Sequence, residues 1–206
     1  MKRKIMVLAI AVTAFATSVN AQQGGVLVYG NFGIMSQTHD DGGTKTKVMN
    51  GMFSPGIGYG VNDKLIVGLN IGLSSQKTDP DGPGDVTTTN FSAGPFVRYT
   101  QSLSDIFTVY GQANASFLSG VTKYSPGSSK DKTSGVDVNI TPNFGINLGK
   151  GWGLNFGFGS LGFTSTTAKP DDGGSDDKIK DSSFGLALNG NTLRWGVSYM
   201  FNCAKK

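Results

Sequence analysis

Period-2 alternation along most of the chain, connections that alternate short and long, and a polar face nearly free of charge predict an all-β fold. The architecture they imply is an eight-stranded antiparallel up-and-down transmembrane β-barrel. Composition agrees. Glycine supplies 31 of 206 residues, about twice its ordinary usage, and only 16% of residues are charged. All 14 acids are Asp, which argues against long helices, coiled coils and acidic tails that lean on Glu. One His and one Cys leave no metal cluster and no disulfide framework.

The first element is a leader. Lys2, Arg3 and Lys4 precede the apolar run Ile5 to Ala16, and Val19-Asn20-Ala21 offers small residues at the positions a signal peptidase reads. Residues 1–21 are therefore expected to be a cleaved signal peptide, and 22–206 the barrel domain. The apolar run is short for a bilayer-spanning helix. No Cys follows the cleavage point, which argues against a lipoprotein. Losing three cations leaves 15 against 14 acids, so the pI of 9.1 belongs largely to the leader and gives no support to nucleic-acid binding.

Strands are predicted near 25–36, 45–61, 65–76, 87–99, 106–118, 135–148, 152–164 and 182–201. The first is bounded by the polar segment 37–44, and the second stops at the turn Asn62-Asp63-Lys64. In the third, Leu65, Val67, Leu69, Ile71 and Leu73 alternate with mostly small or polar partners. The fourth alternates Phe91, Ala93, Pro95, Val97 and Tyr99 with Asn90, Ser92, Gly94 and Arg98. The fifth runs from the short turn 101–105 to the long segment 119–134. The sixth alternates Val136, Val138, Ile140, Pro142, Phe144, Ile146 and Leu148 with Asp137, Asn139, Thr141, Asn143, Gly145 and Asn147. The seventh follows Gly149-Lys150-Gly151 and ends before 165–181. In the eighth, Leu193, Trp195, Val197, Tyr199 and Phe201 alternate with Arg194, Gly196 and Ser198. Strands of about 12 residues suffice to cross a bilayer at a tilt.

A soluble lipocalin-like barrel would also alternate, with its apolar face inward. The polar face of Gly, Asn, Ser and Thr suits a narrow lumen better than a water-facing exterior, so the apolar face is expected to meet lipid. Tyr59, Tyr99, Phe107, Trp152, Tyr199 and Phe201 fall close to short turns or the chain end and are expected to form a periplasmic aromatic girdle. Phe53, Phe91, Phe117 and Tyr124 lie towards the other end. Pro55, Pro95 and Pro142 stand inside strands at matching points, which predicts a recurrent bulge or twist. Phe184, Leu186 and Leu188 have the opposite parity to Leu193 through Phe201. Asn189-Gly190-Asn191 is expected to hold a bulge, the alternative being a hairpin and a ninth strand.

The segments Phe53 to Tyr59 (FSPGIGY), Gly94 to Tyr99 (GPFVRY) and Ile140 to Ile146 (ITPNFGI) resemble the returning strands of small porin-family outer-membrane barrels. These are common in Bacteroidota and similar in build to the OmpX and OmpA-barrel types. The resemblance covers about 24 to 201. It implies that Val197, Tyr199 and Phe201 form the terminal signal read by the outer-membrane insertion machinery, although Asn202 to Lys206 extends past the aromatic at which such chains often stop. Cys203 reads as an inert thiol in that tail.

Candidate sites are few. Asp79, Asp81 and Asp85 with Gly82 and Gly84 form a weak Ca²⁺ candidate loop, but no Glu exists to close it and a solvated turn explains it better. Asp171, Asp172, Asp176, Asp177 and Asp181 are interleaved with Lys169, Lys178 and Lys180, which disfavours a specific metal site. The Gly-rich runs precede no helix and are not phosphate loops. Some outer-membrane barrels are enzymes with a loop histidine, and His39 stands in the first long segment, but nothing else composes a catalytic constellation. Arg98, Asp137 and Arg194 are expected to point into the lumen. Arg98 is expected to reach Asp63 or Asp105, and to be too far from Asp137 to pair with it.

These readings predict an integral outer-membrane protein with a structural or surface-interaction role carried by long extracellular loops. The alternatives are a small-solute pore or a secreted lipocalin-like ligand-binding barrel. No catalysis, cofactor or nucleic-acid partner is expected. The expected partners are outer-membrane lipid, lipopolysaccharide and, during biogenesis, the insertion machinery. The chain is expected to be a monomer, and its surface ligand is not legible.

Overall fold

The computed structural model describes residues 24–40, 42, 45–80, 84–127, 129–169, 178–187 and 193–202. Residues 1–21, expected from the sequence to be a signal peptide, and Cys203 fall outside them. Ten strand segments follow in order: β1 (Gly25–Asp40), β2 (Lys45–Gly60), β3 (Leu65–Pro80), β4 (Val86–Ser102), β5 (Phe107–Tyr124), β6 (Lys130–Gly149), β7 (Trp152–Phe158), β8 (Ser160–Lys169), β9 (Ile179–Ala187) and β10 (Leu193–Asn202). They form eight staves, because β7 and β8 lie end to end along β6, and β9 and β10 likewise make up the last stave. Every pairing is antiparallel. β1 closes the ring on β10, from Gly25 opposite Asn202 to Phe32 opposite Trp195.

Alternation assigns the two faces as lipid contact requires. Leu69, Val138 and Phe184 point outward at 62%, 51% and 76% exposure, while their sequence neighbours Asn70, Asn139 and Gly185 occupy the other parity. An apolar exterior with polar groups inside is the reverse of a lipocalin, so the soluble alternative fails on this point.

The prolines act in two ways. At Pro55 and Pro95 the ladder to the following strand lapses for two residues and resumes in the same register: Phe53 faces Leu73 and Gly56 faces Asn70, then Ala93 faces Phe117 and Phe96 faces Asn114. A residue with no N–H leaves such a gap without forcing a bulge. Opposite Pro142 a true bulge exists. Ile140 faces Leu161 and Asn143 faces Gly157, so Thr141 and Pro142 oppose 158–160, where Gly159 takes φ 73° and divides β7 from β8. In the last stave Ala187 faces Ser160 and Leu193 faces Phe158. Residues 189–191 lie outside the described residues, but β9 and β10 run in one direction, so no ninth stave arises.

The strands also outrun their predicted ends. β3 continues to Pro80, β5 to Tyr124 and β6 begins at Lys130, so three of the four long connections shrink to 41–44, 81–85 and 125–129. Polar runs such as Lys77-Thr78 and Val121-Thr-Lys123 read as loop, yet they keep pairing above the apolar band because β-branched residues fit an extended, solvated ladder. Only 170–178 remains long. At the opposite end the turns are tight. Asn62 Oδ1 accepts from the amides of Lys64 and Leu65 at 2.9 Å, and Lys150 adopts φ 52° between Gly149 and Gly151.

Candidate functional site

The lumen at the short-turn half is filled. Tyr29 from β1, Ile66 from β3, Phe96 and Arg98 from β4, and Tyr110 and Gln112 from β5 point inward and are buried, Phe96 at 2% and Arg98 at 4% exposure. Small residues opposite them make the room. A Cβ on Gly56 would collide with the Tyr29 ring, and one on Gly58 would stand 2.8 Å from Phe96 Cζ. Tyr29 and Phe96 meet edge to face at 5.5 Å between centroids.

Arg98 is the centre of this layer. Its guanidinium lies 4.6 Å from the Tyr29 ring centroid and 4.3 Å from that of Tyr110, and donates through Nε and Nη2 to Gln112 Oε1 at 3.0 and 2.7 Å. The expected partner, Asp63 or Asp105, is not used. Those aspartates sit in the turns beyond the barrel end, whereas the Arg98 side chain lies within the aromatic layer.

Three amides carry the charge onward. Gln112 Nε2 donates to Asn114 Oδ1 at 2.8 Å, Asn114 Nδ2 to Asn139 Oδ1 at 2.8 Å, and Asn139 Nδ2 to Asp137 Oδ2. Each amide turns its carbonyl towards the guanidinium and its NH₂ towards the carboxylate. The chain is unidirectional and its dipoles reinforce one another. Arg98 and Asp137 thus make no direct pair, as expected, yet are joined across the lumen. Tyr29 accepts a further bond from Gln112 Nε2 at 3.0 Å, and Thr164 Oγ1 donates to Asp137 Oδ1 at 2.7 Å.

Above the layer lies a polar cup of about 180 Å³, whose walls include Asn31, Asn70, Ser92, Asn139, Asp137 and Arg194. Arg194 is half-buried and reaches Gly159 O at 3.5 Å. All three expected lumen charges are therefore inside, on two levels.

The remaining candidates are surface features. Lys77 Nζ bridges Asp85 at 2.7 Å and Asp79 at 3.7 Å, so a lysine stands where the Ca²⁺ reading needed a cation; Asp81 lies outside the described residues. The hydrogen bond to Asp85 raises the Lys77 ammonium and lowers the Asp85 carboxyl from their ordinary values. His39 stands in β1 opposite Thr46, away from the lumen layer. Tyr59, Tyr99, Phe107, Trp152 and Phe201 are outward and exposed near the short-turn end, and Tyr199 packs on Trp152 and Phe201 at 4.9 and 4.5 Å. Val197 pairs with Gly30 beside them.

The sequence reading missed Tyr29, Phe96, Tyr110 and Gln112. Their signal was bulk on the inward parity, where Gly, Ser and Asn are the commonest residues.

Comparison with known proteins agrees with this architecture. The chain matches the outer membrane protein beta-barrel domain over residues 5–201. No curated protein matches it. Similar solved structures include outer membrane protein OprG from Pseudomonas aeruginosa (14% identity, 86% of this chain and 96% of that one, TM-score 0.49). A major outer membrane protein from Thermus thermophilus is similar at 14% identity, with 86% and 99% covered and TM-score 0.49. Neisserial surface protein A follows at 14% identity, with 85% and 96% covered and TM-score 0.43. The family match runs from residue 5 to residue 201 and takes in all eight staves, and the chain belongs to the outer membrane protein β-barrel domain family.

Proposed function

We propose that this outer-membrane barrel is sealed, and that its role is structural or surface-interactive through the end that carries the longer connections. The observation that carries the reading is the buried layer of Tyr29, Phe96, Arg98, Tyr110 and Gln112, which fills the lumen between the polar cup and the short-turn end. Short turns face the periplasm in such barrels, so the cup opens to the outside. Export through a signal peptide cleaved after Ala21, the girdle at the periplasmic interface and the insertion signal Val197, Tyr199 and Phe201 complete the reading. A monomer suffices, since the lumen layer is made within one chain.

The test is single-channel conductance in planar bilayers. The wild-type barrel should show no steady channel, while Phe96→Gly/Arg98→Gly/Tyr110→Gly, which empties the layer, should conduct. Steady conductance by the wild type would make the protein a small-solute pore instead.

A further inference from the structure

Lysines at the long-connection end share one orientation. On β5, Lys123 follows the outward series Phe117, Ser119 and Val121. On β6, Lys130 and Lys132 follow Val136 and Ser134. On β8, Lys169 follows Phe163, Ser165 and Thr167, and on β9, Lys180 follows Phe184 and Ser182. The same alternation sends the neighbouring acids inward: Asp131 lies between Lys130 and Lys132, where Tyr124 donates to it at 2.9 Å, and Asp181 follows Lys180 on the opposite parity. Cations are thus sorted to the outer wall and carboxylates to the lumen.

The register makes this arrangement unfavourable by itself. Lys123 stands directly opposite Lys130, and Lys132 directly opposite Lys169. Like charges opposed on one face repel. On the other side of the barrel the problem is solved internally, with Lys45 paired to Asp40 at 3.6 Å and Lys77 to Asp85 at 2.7 Å. Lys123, Lys130, Lys132 and Lys169 have no carboxylate partner among the described residues. They are exposed, and an external anion would relieve both opposed pairs.

Height identifies the anion. From Val136 to Leu148 the outward face of β6 spans twelve residues, about 40 Å of strand or roughly 28 Å of membrane depth at a tilt near 45°. Lys132 sits about 9 Å above Val136 on the same arithmetic, at headgroup level. A second feature lies below on the same staves. An outward apolar groove of about 840 Å³, walled by Val109, Ile140, Pro142, Phe144, Leu161 and Leu186, opens where Gly111 contributes no side chain. Val136, Val138 and Ile140 form an apolar track from Lys132 into it.

We propose that Lys123, Lys130, Lys132 and Lys169 bind the phosphate groups of an outer-leaflet lipid whose acyl chain follows this track into the groove. Charge neutralisation holds the headgroup and the groove selects a lipid over free phosphate. The site stands whether or not the lumen conducts.

The test uses the full barrel in detergent and native mass spectrometry with lipid A bearing two phosphates and its dephosphorylated form. Wild type should retain the phosphorylated lipid with roughly tenfold or greater preference. Lys130→Gln/Lys132→Gln/Lys169→Gln should lose that preference, and Lys64→Gln/Lys150→Gln at the other end should keep it. Heat-modifiable gel mobility confirms that each variant is folded, and single Lys132→Gln provides a milder variant if the triple does not fold. Excess inorganic phosphate should fail to displace the lipid. Equal retention of the two lipids, an unchanged preference in folded lysine variants, or displacement by inorganic phosphate would each overturn the proposal.

Discussion

Replacing Gln112 by Leu tests whether the lumen layer is held as described. The substitution nearly conserves volume, so it opens little cavity, but it removes the acceptor for both Arg98 N–H groups and the donor to Tyr29 and Asn114. Leaving a buried guanidinium without the acceptor of two of its N–H groups costs upwards of about 3 kcal/mol, because the charged donors stay desolvated and unsatisfied. The Tyr29 and Tyr110 ring faces remain against it and offset part of that loss, which places the expected value at about 3 kcal/mol. Urea unfolding in phospholipid vesicles, followed by Trp152 and Trp195 fluorescence, reads it directly. The double variant Arg98→Met/Gln112→Leu should then recover at least half, since an apolar plug has no charge to strand. A single-variant cost below about 1 kcal/mol, or a double variant as unstable as the sum of both singles, would refute the account.

Arg98 and Arg194 should differ in chemical access: phenylglyoxal should modify Arg194 in the cup while Arg98 stays protected, and equal rates by peptide mass spectrometry would contradict the sealed layer. Trp152 should lie nearer the interface than Trp195 by about 9 Å, four residues of tilted strand, so brominated lipids at graded depths should quench Trp152→Phe and Trp195→Phe variants differently. The Lys77–Asp85 bridge should persist throughout the range between the ordinary carboxylate and ordinary lysine pKa values. Asp85 has a lowered pKa, so its contribution fades as pH falls through that value, and Lys77 has a raised one, so its contribution is lost as pH rises through it; proteolysis rates at 81–85 across pH would show both limits. Gly56→Val should abolish heat-modifiable folding, because its side chain would occupy the space of the Tyr29 ring.

Much of the fold was legible because a period of two records which face each residue joins, and lipid and lumen demand opposite chemistry. Leu69 beside Asn70 and Val138 beside Asn139 state that division outright. Strand ends were less legible. Above the membrane both faces are wet, so Lys77-Thr-Asp79 and Lys130-Asp-Lys132 show no apolar alternation although they pair as regularly as the residues below. Pro142 announced a bulge, but its place on the partner strand was hidden, since Gly157 and Gly159 belong to a run where glycine is common and only one takes a positive φ.

The lumen layer was hidden for a different reason. Its members come from strands up to 83 residues apart, and Gln112 donating to Tyr29 is a contact that exists only once the barrel has closed. What the sequence did contain was exception: Phe96 and Tyr29 on a parity given mostly to small residues, with Gly56 and Gly58 cleared beside them. Bulk on the small face implies a partner glycine on a neighbouring strand, and the register supplies it, as Tyr29 faces Gly56. The charged parity obeys the same logic at the rim. Lys130 and Lys132 flank Asp131 so that one tripeptide gives the outer wall two cations and the lumen one anion, and in a barrel that is how a nearly neutral sequence acquires a strongly charged surface on one side only.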